Sequence, residues 1–143
     1  MAEAQTTELF NCSTDEFYKI ISDYEKYPEF LNEVRDCKVL KADGSRKLVE
    51  FTVFMIKEFK YRLWMTEEPM NKISWVFESG DIFKVSNGSW VLKEEAGKTR
   101  ATYAVEAKFT LFVPGPIAKA LVSVNLPNMV SSYHKRVKEI YGK

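Results

Sequence analysis

Ala101, Tyr103, Val105, Ala107 and Phe109 alternate with Thr102, Ala104, Glu106 and Lys108, the period of a strand with one buried face. The pattern breaks at Val113-Pro114-Gly115-Pro116, and helical spacing then continues through Asn125-Leu126-Pro127 to the last residues. Upstream, residues 5–12 read as a first strand. Ser13-Thr14-Asp15-Glu16 is a capping box, in which a serine hydroxyl and a glutamate three residues later satisfy each other's backbone amides. Phe17, Ile20 and Ile21 give the helix that follows its apolar face. Asp23 is expected to cap a second short helix through Tyr27-Pro28-Glu29-Phe30-Leu31. Turn signals at Asp43-Gly44, Lys57-Glu58, Glu68-Pro69-Met70-Asn71, Ser79-Gly80-Asp81 and Glu95-Ala96-Gly97-Lys98 then punctuate an antiparallel meander.

Side-chain parity sets the register. Odd positions are apolar in three strands: Val49, Phe51, Val53 and Met55; Tyr61, Leu63 and Met65; Ile73, Trp75 and Phe77. A three-residue loop at 68–70 predicts Leu63 opposite Trp75 and Tyr61 opposite Phe77. A two-residue turn at Lys57-Glu58 would set Lys60 beside Met55 and Arg62 beside Val53, so an odd-length loop or a bulge is expected there. Trp90 and Leu92 are even while Phe83 and Val85 are odd, and Asn87-Gly88 is the expected place of the switch. A four-residue loop at 95–98 then pairs Trp90 with Tyr103 and Leu92 with Ala101.

The terminal helix reads as two halves. Beyond Pro127, Val130, Tyr133, Val137, Ile140 and Tyr141 share a face opposite Lys135, Lys138 and Glu139. Before it, Ile117, Leu121 and Val124 form a stripe that points nearly the other way, and Ala118, Ala120 and Val122 make this half apolar almost all round. A proline inside a helix removes a backbone hydrogen bond and bends the axis. Either the bend re-aims the first half onto the core, or that half is a hinged lid or membrane-touching portal, extended by Phe109, Leu111, Phe112 and Val113.

Composition narrows the options. A chain of 143 residues with 45% apolar and 14% aromatic content suits one folded domain, 1–143, and not disorder. A net charge of +1 argues against nucleic acid as the main partner. No apolar run approaches the roughly 20 residues of a membrane span. The polar, acidic start Met1-Ala2-Glu3-Ala4-Gln5 is unlike a secretory signal. Cys12 and Cys37 lack CxxC spacing and one histidine cannot complete a zinc set, so no metal or other cofactor is expected. Two thiols suit a reducing compartment, and a cytoplasmic location is expected.

The order strand, two short helices, meander, long C-terminal helix resembles the helix-grip fold of the START-like (SRPBCC) superfamily. Asp23-Tyr24-Glu25-Lys26-Tyr27-Pro28-Glu29-Phe30 resembles the helix-turn segment of its coenzyme Q-binding and polyketide cyclase-like branch. Phe83 to Trp90, with Gly88 two before the tryptophan, is similar to that branch's sixth strand. Gly115-Pro116 and Asn125-Leu126-Pro127 resemble the start and the mid-helix kink of its last helix. The resemblance covers essentially the whole chain. It implies an α+β helix-grip fold, a curved antiparallel sheet wrapped around a long kinked C-terminal helix, with two short helices after strand 1. It also implies binding of lipids, quinones, hormones or polyketides; some members cyclise polyketides, and one branch acts on ribosomes. A proline often follows the Phe-Leu pair in quinone-binding members, whereas Asn32 stands there in this chain.

The expected inner face of the strands holds no carboxylate, lysine, arginine or histidine. Its ionisable members are Tyr61 and Tyr103, phenols that ordinarily titrate near ~10. They can donate to a ligand carbonyl, or be core tyrosines whose hydroxyls reach the rim. His134, beside Tyr133 at the edge of the helix stripe, reads as a boundary residue, and Cys12 and Cys37 read as small buried apolar residues. No nucleophile triad or phosphate-cradling glycine motif is legible, so no catalytic residue is assigned. The expected ligand-binding set is Phe51, Val53, Met55, Tyr61, Leu63, Trp75, Phe77, Trp90, Tyr103 and Val105 from strands, with Leu121, Val124, Val130 and Tyr133 from the helix.

Three functions fit this pattern: non-covalent binding or transport of a hydrophobic small molecule, a polyketide aromatase/cyclase, or a protein-interaction module on the outer sheet face. The last would use Phe54, Trp64 and Val76, with Trp64 opposite Ser74 and the other two diagonal to it. The expected partner is accordingly a hydrophobic small molecule, with peripheral membrane contact or a protein partner as alternatives.

Overall fold

Seven strands form one antiparallel sheet in the order β1-β7-β6-β5-β4-β3-β2. The structure, a computed structural model, describes residues 2–55, 57–110 and 115–142, with the side chains at 2, 55, 57, 115 and 117–126 outside the description. The strands are β1 Ala2–Phe10, β2 Val34–Asp43, β3 Arg46–Met55, β4 Lys57–Glu68, β5 Lys72–Gly80, β6 Phe83–Glu95 and β7 Lys98–Phe109. Helix α1, Thr14–Ser22, and a 3-10 helix, Tyr24–Glu29, lie between β1 and β2, and helix α2, Gly115–Tyr141, ends the chain. This is the helix-grip architecture.

The capping box starts α1 as expected. Glu16 N donates to Ser13 Oγ at 3.1 Å and Ser13 N to Glu16 Oε1 at 2.9 Å. Phe17, Ile20 and Ile21 are buried. Asp23 makes no side-chain cap, which corrects the expectation for the second helix. That helix is a tight 3-10 turn held by tertiary contacts. Tyr24 Oη donates to Glu67 Oε2 at 2.7 Å, and Lys47 Nζ donates to Glu67 Oε1 at 2.6 Å.

Pairing keeps the odd residues of β3, β4 and β5 on one face. Met55 pairs with Lys57, so an odd connection puts Phe51 opposite Tyr61 and Val53 opposite Phe59. The β4–β5 loop is three residues but falls at 69–71, one position later than expected. Met65 therefore faces Trp75 and Leu63 faces Phe77, while Tyr61 pairs with Gly80 across a bulge. Trp90 faces Tyr103 and Leu92 faces Ala101 as expected. The turn is the two residues Ala96 and Gly97 at φ 52° and 81°, the left-handed pair of a tight hairpin turn.

The parity switch in β6 is a bulge between Phe83 and Val85, and not at Asn87-Gly88. Gly88 has a packing role instead. A Cβ there would lie 2.5 Å from Trp75 Cζ2 and 2.5 Å from the Ala104 carbonyl oxygen, so the indole packs directly on bare backbone.

Strands β5 and β6 pair only from Lys72–Val91 to Trp75–Gly88 and then part. The connection between them is tied to both sides. Asp81 N donates to Lys60 O at 3.2 Å, and Thr110 N to Ile82 O at 2.8 Å. The sheet thus opens at its middle, next to Trp75.

The outer-face cluster forms only in part, because Val76 lies beside Trp64 while Phe54 stands apart. Trp64 faces Val76, not Ser74, and carries the Arg46 guanidinium over its ring at 4.6 Å. Phe54 lies six residues along β3 from Leu48, Trp64's partner, and sits under Arg35 at 4.7 Å. On α2, Val130, Tyr133 and Val137 are buried, whereas Ile140 is 47% exposed, a correction to the expected stripe. Tyr141 Oη donates to the Glu16 carbonyl at 3.1 Å. Arg136 donates to Glu29 Oε1 at 2.9 Å and stacks over Phe30 at 5.0 Å, which fastens α2 to the 3-10 helix. Pro127 lies inside α2. The lid reading rests on side chains at 117–126 and on residues 111–113, outside the described residues.

Replacing Gly88 by alanine should cost about 1–3 kcal/mol of stability, because the new methyl group meets a backbone oxygen as well as a ring. Urea denaturation measures this; a variant as stable as the parent would contradict the packing described.

Candidate functional site

Inward-facing side chains of five strands meet the 3-10 helix and α2 around a cavity of about 210 Å³. Phe51 and Val53 come from β3, Tyr61, Leu63 and Met65 from β4, and Ile73 and Trp75 from β5. Strand β6 supplies Phe83, Ser86 and Trp90, and β7 supplies Tyr103, Val105, Ala107 and Phe109. Tyr27, Leu31, Glu33 and Val34 close it from the segment after α1, and Met129 and Tyr133 from α2.

Two aromatic strings define its walls. Tyr27, Phe51, Tyr61, Phe83 and Phe109 follow one another at centroid spacings of 6.2, 5.2, 4.9 and 5.0 Å. Trp75, Tyr103, Trp90, Tyr133 and Phe30 follow at 5.7, 4.9, 5.2 and 5.1 Å. Beneath Trp90, Phe10 and Phe17 stack at 4.4 Å and seal that end. Such edge-to-face and offset contacts hold rings in fixed positions, so the hollow keeps its shape.

Of the expected residues, Phe51, Val53, Tyr61, Leu63, Trp75, Trp90, Tyr103, Val105 and Tyr133 line this cavity. Phe77 packs against the core but is not a wall residue. Val130 is buried beside the stripe formed by Met129 and Tyr133, which are one helical turn apart. The side chains of Met55, Leu121 and Val124 lie outside the described residues. The strand pattern did not point to Tyr27, Leu31, Glu33 and Val34. The apolar spacing Tyr27, Leu31, Val34 was a usable signal; for Glu33 there was none, since it lies in the turn before β2, where Phe54 N donates to its carbonyl at 2.9 Å. The strands' inner face holds no carboxylate among the lining residues, as expected, and Glu33 adds one from the turn before β2.

The polar groups are few and open. Among the described residues, the hydroxyls of Tyr61, Tyr103 and Ser86 have no hydrogen-bond partner. Among the same residues no side-chain nitrogen or oxygen sealed from solvent lacks a partner, so these hydroxyls face open space at the cavity. Tyr27 is different: its hydroxyl donates to the Ile21 carbonyl.

A family model described as polyketide cyclase/dehydrase and lipid transport matches residues 11–132. The chain belongs to this family. Its fold matches solved structures closely at low identity. A START superfamily protein from Mycobacterium smegmatis shares 20% identity at a TM-score of 0.86, covering 98% of this chain and 99% of that one. The Zhui aromatase/cyclase from Streptomyces sp. R1128 shares 12% at 0.84, covering 98% and 96%. A STAR-related lipid transfer protein fragment from Xanthomonas axonopodis shares 15% at 0.77, covering 95% and 85%. No curated protein sequence matches the chain at a significant level.

In this polyketide cyclase/dehydrase and lipid transport family member, burial pushes the phenols of Tyr61, Tyr103 and Tyr133 well up, with the negative charge of Glu33 adding to each. Burial does the same to Tyr27, which Tyr133 raises further. The cavity phenols therefore stay protonated at neutral pH and act as donors, not as bases. Burial also pushes the Cys37 thiol up, which removes it as a nucleophile. His134 lies outside the cavity, its Nε2 at 3.9 Å from Glu8 Oε1 and its ring at 4.3 Å from Phe10. No group of metal-ligating side chains occurs among the described residues, and no described helix is long and apolar enough to cross a membrane.

All seven tyrosines are raised, Tyr18 to about 12. A raised folded-state value means stability is complete below the unfolded phenol value of ~10 and is lost as pH rises through the folded values. Ultraviolet phenolate absorbance should stay low at about pH 11 and then rise together with loss of structure. Ionisation of most tyrosines in the folded protein near ~10 would contradict the burial described.

Proposed function

We propose that this protein binds and carries a hydrophobic small molecule, of lipid, quinone or polyketide-like character, in the cavity between the sheet and α2, with no covalent chemistry. The observation that carries this reading is an aromatic-walled hollow of about 210 Å³ into which the Tyr61, Tyr103 and Ser86 hydroxyls open with no partner among the described residues. Apolar walls with a few convergent polar groups are the usual lining of a small-molecule site. An apolar cavity of about 150 Å³ takes benzene, so this one suits roughly a two-ring aromatic group, with any longer chain passing out through the opening. Transfer of apolar surface from water at about 25 cal/mol per Å² supplies the drive, less the cost of ordering the ligand. Cys12 and Cys37 are both buried, and two such cysteines suit a reducing compartment, which supports a cytoplasmic carrier.

The same hydroxyls favour a second reading, a polyketide aromatase/cyclase, in which Tyr61 and Tyr103 would polarise ketone oxygens of a chain folded by the walls. The two readings part on turnover. The carrier should leave a poly-β-ketone to cyclise at its rate in buffer; acceleration lost in Tyr61→Phe and Tyr103→Phe would establish the cyclase instead.

Binding itself is tested with N-phenylnaphthylamine, a neutral probe that fluoresces in apolar surroundings. Saturable enhancement is expected, with affinity about tenfold or more weaker in Val105→Phe, whose ring fills the space beside Trp75. Unchanged affinity in that variant, or no saturable signal in the parent, would overturn the cavity reading.

A further inference from the structure

Glu33 is an unusual wall residue. Among the described residues the cavity lining contains no lysine, arginine or histidine, and Glu33 stands there among aromatic and aliphatic residues. Nearby cations are committed elsewhere. Arg136 bonds Glu29 and covers Phe30, while Arg35 lies over Phe54. Other carboxylates have partners, Glu67 with Lys47 and Tyr24, and Glu50 with Arg62. Among the described residues the Glu33 carboxylate has neither an ion pair nor a hydrogen bond. Its charge is nevertheless felt at the Tyr61, Tyr103 and Tyr133 hydroxyls.

We propose that Glu33 is the specificity determinant of the cavity, selecting apolar molecules that end in a hydroxyl, a phenol or an alcohol, and rejecting free carboxylates. This rests on the cavity reading above. A carboxylate only accepts hydrogen bonds, and a protonated tyrosine can donate one. A hydroxyl satisfies both at once: its oxygen accepts from Tyr61 or Tyr103, and its hydrogen goes to Glu33 as a charge-assisted bond. A carboxylate ligand gives Glu33 no hydrogen and brings a like charge into low-dielectric surroundings, with no cation among the described wall residues to offset it. Ser86 adds a second hydroxyl that can take either role, so it does not change the preference.

Isothermal titration with naphthol, naphthoate and naphthalene tests this on the intact chain. Burial alone disfavours an anion, so the comparison between proteins carries the test, not the preference of the parent. Naphthol should bind the parent more tightly than naphthoate, and Glu33→Gln should shrink that ratio about tenfold, with naphthalene titrated alongside as the measure of the cavity itself. Glu33→Lys should shift the preference further toward naphthoate. A ratio that is the same in the parent and in both variants would overturn the role of Glu33 and leave the cavity reading standing. Failure of naphthalene to bind the parent would overturn both.

Discussion

Pleat parity is the constraint on which this cavity depends. A strand offers alternate residues to each face, so an uninterrupted aromatic wall requires that every pairing keep its parity. The odd residues of β3, β4 and β5 stay in phase through the odd connections at 56 and at 69–71. In β6 one added position at Lys84 lets Phe83 and Ser86 both face inward, after which Trp90 and Leu92 follow. Without that bulge, Phe83 and Trp90 would lie on opposite faces and the two aromatic strings would be broken.

A wall is not yet a hollow. The space exists because the sheet parts between β5 and β6 beyond Trp75, and because the covering elements stand on supports of their own. The 3-10 helix is fixed by Tyr24 and Lys47 on Glu67, and α2 is fixed to the 3-10 helix by Arg136 on Glu29. Exposed ion pairs contribute little to stability. Here they position elements whose apolar residues, Tyr27, Leu31, Met129 and Tyr133, cover the sheet without filling it. The chemistry follows from this arrangement. Burial keeps the phenols protonated, so the described wall offers hydrogen-bond donors, the Glu33 carboxylate and no general base among its tyrosines.

Much of this was legible in the sequence because parity and turn chemistry are local. The capping box, the face of α1, the pairing of Trp90 with Tyr103 and the inward Phe51, Tyr61 and Trp75 all follow from spacing. Errors arose where one residue can move without breaking the pattern. The β4–β5 loop shifted by one on each strand, which preserves every face while changing Trp75's partner from Leu63 to Met65. Gly88 read as a bulge because its reason, the indole lying on it, is a contact between strands that sequence does not display. Glu33 was invisible for a related cause: it is a turn residue before β2, bonded through its carbonyl to Phe54 N, and belongs to no periodic pattern.

Diffraction from crystals equilibrated with xenon gas tests the persistence of the hollow most directly. Xenon enters apolar cavities without needing polar contacts. Density for the atom among Phe51, Tyr61, Trp75 and Tyr103 is the expected result. An interior filled by those same side chains, with no xenon among them, would contradict the account.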